Sequence, residues 1–352
     1  MANHTIYLRT LKKAEHTVFG VQDGQKKYYD PQFGKYIPYS SGQQVKHSIL
    51  NKLTSIINKI PSPTTFVFGV SKNDELGEGE VFASCDPSFP DQLFGGWMKA
   101  SQGGKERTLK RRSPLSISAM RGLHPLLCGI NKENLTFDRS DRSNNKVIVR
   151  DADGNELSTE EIKTFLEGKD RSISRKWIPN KDRATGLFVQ DIAIDLRRLF
   201  SVNLNPYEPE INEETEKKLI ENGWIESENI FGKCLVVPKK IRDQLAPALA
   251  EALIHWAITS NQSRTFSLME TLSLAISENA NKIAGSIRAK LHDEDERRAK
   301  PIIEEDMEGV EAFVTLTAGG YVLTKSESAN ALEEAEKYLI EKINEFDFES
   351  QL

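Results

Sequence analysis

One segment near the start of the chain has apolar residues at clear helical spacing. Val45, Ile49 and Leu53 lie four residues apart, directly after Ser41. A serine followed three residues later by Gln44 fits a capping box, and two prolines after residue 60 would stop a helix. The pattern therefore predicts a helix that begins at Ser41 and ends before residue 61.

The rest of the chain mixes helical and strand patterns. Two further amphipathic helices are predicted at about 241–258 and at 330–343. Short runs rich in β-branched or aromatic residues predict strands at 5–11, 16–21, 65–70, 81–84, 113–120 and 187–199. Residues 313–317 and 321–324 predict a hairpin around a Gly-Gly turn, and 266–276 fits either a helix or a strand. This mixture favours an α+β fold.

Long polar segments separate these elements. They predict insertions at 61–112, 137–183, 203–240 and 285–311 within a single elaborated domain, 1–352. Segments of this length in a compact domain are usually functional or disordered.

Composition narrows the class of protein. With 352 residues, 38% of them hydrophobic, the chain can bury a large core. No apolar run approaches the roughly 20 residues of a membrane helix, and no signal sequence is visible, so we expect a cytoplasmic protein without a membrane partner. The 3 cysteines form no C-x-x-C pair, which favours a reducing compartment and argues against a structural zinc. The net charge of −5 provides no global positive field.

Catalytic motifs are not evident. The 6 histidines form no metal-binding pair, and the sequence has no nucleophile elbow, P-loop or dinucleotide fingerprint. We therefore predict no enzyme activity, no cofactor and no metal.

Local clusters of cations remain to be explained. Residues 99–112 contain six basic side chains and one acid, and a second basic stretch covers 171–183. The start of the predicted helix offers unpaired N–H groups and the positive end of the helix dipole, while Gly42 would let a ligand approach. Gln43, Lys46 and His47 add donors. Taken alone, these features also fit an ordinary capped helix and solvated surface loops.

The order of these features resembles one known family. Residues 36–48, YIPYSSGQQVKHS, resemble the helix-start motif of the CRISPR-associated backbone proteins, the Cas-seven group of the RAMP superfamily. Archaeal-type and DevR-like members are most similar, because they carry a proline, a small residue-Ser-Gly, and a histidine or arginine at the position of His47. Residues 111–119, RRSPLSISA, and 183–196, RATGLFVQDIAIDL, resemble two later strands. The resemblance covers most of 1–276, although the loop at 260–264 lacks the glycine of its relatives.

The resemblance implies an RRM-like (ferredoxin-like) antiparallel sheet core with large palm and thumb insertions. The implied thumb is 137–183, in which residues 147–149 and 173–178 would form a two-stranded arm. It implies a non-catalytic backbone subunit of a type I Cascade complex that polymerises along CRISPR guide RNA. The implied partners are that RNA, target DNA, further copies of the chain and other Cascade subunits. Such a subunit should bind phosphates and leave the base edges free.

The implied RNA-binding residues fall into three groups, at the helix start, along the groove and on the thumb. They are Ser40, Ser41, Gly42, Gln43, Gln44, Lys46 and His47; Arg9, Arg111, Arg112 and Arg264; and Arg175, Lys176 and Arg183.

Two alternatives remain open. A type III effector subunit would cut target RNA with a metal and an aspartate before the helix, for which Asp23 and Asp30 are candidates, although both fit ordinary turns. The second alternative is an enzyme or scaffold protein with an unrelated ferredoxin-like core.

Overall fold

The computed structural model describes residues 4–20, 24–100, 107–258 and 266–352. Strands β1–β10 are Thr5–Thr17, Lys27–Asp30, Lys35–Ser40, Thr64–Val67, Glu80–Ala83, Trp97–Lys99, Leu109–Arg111, Leu115–Ile117, Met120–Gly122 and Cys128–Asp138. Strands β11–β19 are Arg175–Asp195, Ser201–Asn203, Ile225–Asn229, Gly232–Val236, Thr271–Ser277, Ile287–Leu291, Ala299–Ile303, Val310–Thr315 and Glu327–Ser328. Helices α1–α8 are Gly42–Ile56, Pro90–Gly95, Thr159–Leu166, Leu196–Leu199, Glu213–Glu221, Lys239–His255, Ala280–Ser286 and Ala331–Asn344.

The chain divides into two compact units. The main unit comprises Met1–Gly129 and Ala184–Leu352, and the small unit is Ile130–Arg183. The sequence predicts one domain with an insertion at 137–183, and that segment lies inside the small unit.

A large sheet organises the main unit. Its strands follow the order β19-β18-β15-β1-β11-β9-β3-β2, and β8 also pairs with β11. The central pairs are antiparallel, whereas β18 and β19 are parallel. With helices and several smaller two- and three-stranded sheets added, the fold is α+β as predicted. An RRM-like arrangement stays a prediction.

Two apolar cores cover the two faces of this sheet. The first joins the sheet to α1, α6 and α8, whose buried residues include Leu53, Leu249 and Leu339. The second lies under α7 and the β16–β17 hairpin and contains Leu11 and Ile287. Every residue of β15 is buried because this strand is covered on both sides. Four of its seven residues are apolar, and the other three, Thr271, Ser273 and Ser277, are small hydroxyl residues that are buried with them.

Helix α1 forms as its sequence predicts. Ser41 is the N-cap, and its hydroxyl accepts a hydrogen bond from the Gln44 backbone N–H at 3.3 Å. Val45, Ile49 and Leu53 are buried and pack towards α6, so the apolar stripe fixes which side of the helix faces the core.

Several predicted elements differ in type or extent. The hairpin predicted at 313–324 is wrong: β18 ends at Thr315 and a 3-10 helix, Leu316–Gly320, follows. Residues 5–17 form one continuous strand, so 16–21 is not a second one. The ambiguous segment 266–276 includes all but the last residue of the strand β15. The strand predicted to reach 199 ends at Asp195, and α4 begins at Leu196. Glycines and short apolar runs do not by themselves distinguish these possibilities.

The small unit contains a pair of strands and a short helix. Strands β10 and β11 pair with each other, and α3 begins with a complete capping box between Ser158 and Glu161. The predicted arm therefore exists, but β10 supplies the partner strand and residues 147–149 are not in a strand.

Within the described ranges, no helix is long and apolar enough to cross a membrane.

Candidate nucleic-acid interface

A cleft of about 350 Å³ lies at the amino-terminal end of α1. The side chains and backbone that line it come from three places: the segment after β1, the residue before β2, and the N-cap and first two turns of α1. They are Phe19, Gly20, Lys26, Ser41, Gln43, Gln44 and His47. None of these described residues carries a carboxylate. The helix dipole and the N–H groups of the first turn give this cleft a positive potential.

Four predicted residues meet in this cleft. Ser41 and Gln44 are half-buried, while Gln43 and His47 are exposed. The His47 Nε2 lies 3.0 Å from the Asn51 side-chain amide, one turn further along the same helix face. The cleft can therefore present amide and imidazole donors, together with the Lys26 ammonium, to an anion.

Gly42 serves a different purpose from the predicted one. A Cβ on this residue would lie 2.5 Å from the Ile117 carbonyl oxygen and 3.1 Å from the Ser118 carbonyl carbon. Glycine is thus required because the backbone around β8 passes directly against the helix start. The expectation that Gly42 admits a ligand is wrong.

Ser40 and Lys46 do not line the cleft. Ser40 is the last residue of β3, pairs with Met120 and is buried. The Lys46 ammonium donates a hydrogen bond to the Gly95 carbonyl at 2.6 Å, which ties α1 to the end of α2. Burial lowers the pKa of Lys46. The helical pattern placed Lys46 near the helix start but did not show that its side chain points towards α2.

Arg111 is a structural residue rather than a groove residue. Its side chain is buried, pairs with Glu210 at 3.1 Å, and donates to the carbonyl oxygens of Leu93, Arg198 and Ser201. Burial lowers its pKa, and the Glu210 carboxylate opposes that shift. Arg112, the next residue, is exposed and remains accessible to a ligand.

Arg9 lies on the sheet as part of a charged cluster. Its guanidinium is 3.0 Å from one Asp191 oxygen and donates to the Ile287 carbonyl, while Arg121 contacts the other Asp191 oxygen at 2.9 Å. Burial lowers the pKa of Arg9. Two arginines thus share one carboxylate and leave an excess positive charge.

Two of the three predicted thumb residues in the small unit are exposed to solvent, and the third is buried. Arg175 and Lys176 are exposed, and the Arg175 guanidinium lies over the Trp177 ring at 5.7 Å. The Arg183 side chain is buried and contacts Glu133 at 2.7 Å, so its expected role as an exposed RNA ligand is wrong.

Some candidates lie outside the described residues, namely Arg264 with its loop 260–264, and Asp23. Asp30 ends β2, where its carboxylate accepts a hydrogen bond from the Phe33 backbone N–H at 2.9 Å, as in an ordinary turn. Among the described residues, no group of three His, Cys, Asp or Glu side chains could hold a metal.

The cysteines are free and buried. Burial raises the pKa of Cys85 and Cys234 to about 11 and that of Cys128 to about 12. These thiols therefore stay protonated at neutral pH.

Sequence reasoning missed Lys26 and Arg121. Lys26 precedes a short strand after the segment 21–23, and Arg121 lies in a three-residue strand, so neither has a periodic pattern around it. Their position follows from the pairing of β2, β3 and β9.

Comparisons with known proteins give the following. No family model matches the sequence, and no curated protein matches it. Solved structures that are similar to the chain include one titled "CRISPR RNA-guided surveillance complex, pre-nicking", with 9% identity, a TM-score of 0.44, and coverage of 97% of this chain and 89% of that one. Another, titled "CRISPR RNA-guided surveillance complex", has 10% identity, a TM-score of 0.39, and coverage of 97% and 84%.

Proposed function

We propose that this chain is a non-catalytic backbone subunit of a type I CRISPR surveillance (Cascade) complex. Copies of it polymerise along one guide RNA, and the bound guide is presented for pairing with target DNA in antiviral defence. The other Cascade subunits are its further partners.

The observation that carries the proposal is the cleft at the start of α1. Its described lining offers the Lys26 ammonium, two glutamine amides and the His47 imidazole at the positive end of a 15-residue helix. These groups bind phosphate oxygens well and read no base sequence. A guide-binding subunit needs this combination because spacers of any sequence must be held.

The sequence motif and the geometry coincide at this place. The segment 36–48, which resembles the helix-start motif of the backbone family, supplies four of the seven residues that line the cleft. The other three precede this segment in the chain and would not be found by the motif.

Head-to-tail assembly fits the distribution of charge along the chain. Acidic residues concentrate at 292–311 and after 327, apart from the basic stretches at 99–112 and 171–183. Unlike surfaces of this kind favour a heterologous contact between successive copies, whose number the RNA length then sets.

RNA binding by a charge-reversal variant in the cleft tests the proposal. Lys26→Glu places a carboxylate where a phosphate should lie, and we expect it to weaken binding of three single-stranded RNAs of unrelated sequence by at least about tenfold each. Lys240→Glu, an exposed position on α6, makes the same change in net charge and serves as the control. Fluorescence anisotropy at fixed salt measures both.

Equal affinity of the two variants for all three RNAs would contradict the proposal. A loss confined to one of the RNAs would contradict it as well, because the cleft is proposed to hold phosphates and not bases.

A further inference from the structure

We propose that Tyr28, flanked by Lys26 and Arg121, is a stacking platform for a base of the RNA strand whose phosphate lies in the α1 cleft. This inference rests on the proposed function and adds a residue and a contact type to it.

Strand register places these side chains on one face of the sheet. The backbone N–H of Tyr39 donates to the Lys26 carbonyl at 3.0 Å, so these two residues are opposite each other, and Tyr39 is in turn paired with Arg121. Side chains alternate between faces along a strand. Lys26 and Tyr28 therefore lie on the same face as Tyr39 and Arg121. The ring centroids of Tyr28 and Tyr39 are 6.0 Å apart, which agrees with this placement.

The solvent-exposed part of this face is predominantly basic, while Ile37, directly opposite Tyr28, is buried. Tyr28 is 42% exposed, Lys26 is exposed, and the Arg121 side chain is 39% exposed. Of the nearby carboxylates, Asp191 is shared by Arg121 and Arg9, and Asp30 accepts a turn hydrogen bond from Phe33. An aromatic ring between two cations suits a strand that carries both bases and phosphates.

Continuity with the cleft identifies the occupant as RNA. Lys26 lines the cleft and lies two residues before Tyr28 at the start of the edge strand β2, so one RNA strand that passes this edge places a phosphate at Lys26 and an adjoining base on the ring. Stacking uses the flat face of a base and leaves its pairing edge free, and it tolerates every base. A guide-binding surface requires both properties.

The opposite face of the same hairpin offers a matched control. Tyr29 and Tyr36 are directly paired there, with ring centroids 5.4 Å apart, and they are 54% and 58% exposed. Tyr29 and Tyr36 carry the same phenol ring as Tyr28, but they lie on the face of the sheet opposite to Tyr28 and Lys26.

The test uses the full chain and two RNA probes, a uridine oligomer and an abasic ribose-phosphate oligomer of equal length. Tyr28→Leu keeps apolar bulk and removes the ring. We expect it to bind the uridine oligomer about tenfold more weakly than wild type, because the ring on which one base stacks is lost. Tyr28→Phe, which keeps the ring, and Tyr29→Leu, on the other face, should stay within twofold. On the abasic oligomer, wild type and Tyr28→Leu should bind equally.

The contradicting outcomes are separable. If Tyr28→Leu binds uridine as wild type does while Lys26→Glu loses affinity, the platform is wrong and phosphate binding in the cleft stands. If Tyr29→Leu loses as much as Tyr28→Leu, the assigned face is wrong. If Lys26→Glu also keeps full affinity, the proposed function fails together with this inference. Circular dichroism of each variant verifies that it is folded.

Discussion

The buried Lys12 predicts how strongly the free energy of unfolding should depend on pH. Its side chain is fully buried, and the ammonium donates to the Trp256 carbonyl at 3.1 Å and to the Thr271 hydroxyl at 2.8 Å. Burial lowers the pKa of Lys12 from 10.5 to about 7. The unfolded chain therefore binds more protons at this residue than the folded chain does between pH 7 and pH 10.5.

The sign follows from linkage. Stability rises with pH wherever the unfolded state binds more protons, so the penalty that Lys12 imposes is largest below pH 7 and disappears above pH 10.5. Between pH 7.5 and 9.5 the relief amounts to about 2–3 kcal/mol.

The comparison variant is Lys12→Met, which keeps the length of the side chain and removes the titrating group. The free energy of unfolding in urea is measured at pH 7.5, 8.5 and 9.5. Over this range it should rise by about 2–3 kcal/mol more for wild type than for the variant. Any constant cost of leaving the two acceptors unpaired cancels from this difference.

Parallel pH curves for the two proteins would refute the reasoning. That result would mean that the carbonyl, the hydroxyl and the Trp256 ring, 4.8 Å from the ammonium, hold the charge as well as water does.

Two further predictions concern packing around the site. Gly42→Ala should lower the free energy of unfolding by about 1–3 kcal/mol in thermal or urea unfolding, because the added Cβ would clash with backbone atoms. In the control, Gly285→Ala in α7, the added Cβ meets only the Met307 methyl at 3.7 Å, so no loss of stability is expected. Equal losses for the two variants would contradict the close approach of the β8 backbone to Gly42. Arg111→Leu should cost about 3–5 kcal/mol in urea unfolding, because buried Glu210 would lose its nearest cation and keep only Arg198, at 3.9 Å. Arg112→Leu should cost less than about 0.5 kcal/mol. Similar losses for both arginines would contradict the burial of Arg111.

The elements that the sequence predicted well are those in which apolar residues repeat at a regular spacing over several turns. Helix α1 has three buried residues at a spacing of four and a serine cap, so both its existence and its buried face follow from local pattern. No such repeat marks the 3-10 helix at 316–320 or the end of β11 at Asp195. Tertiary packing determines the conformation of these segments.

The candidate site was predictable only where one helix carries it. Ser41, Gln43, Gln44 and His47 lie in the cleft because helical geometry fixes their neighbours. Arg111 has the sequence appearance of a surface arginine, yet Glu210 and three carbonyl oxygens from other segments bury it. The contacts with Arg198, Ser201 and Glu210 join residues 87 to 99 positions apart and leave no local pattern.

The dependence of RNA affinity on salt tests phosphate binding in the α1 cleft most directly. For wild type and Lys26→Gln, the dissociation constant of one single-stranded RNA is measured over a series of salt concentrations. Because each neutralised phosphate on a single strand contributes about 0.7 to the slope of log affinity against log salt, we predict that Lys26→Gln lowers the slope by about 0.7. An unchanged slope would show that the Lys26 ammonium contacts no phosphate and would contradict the account.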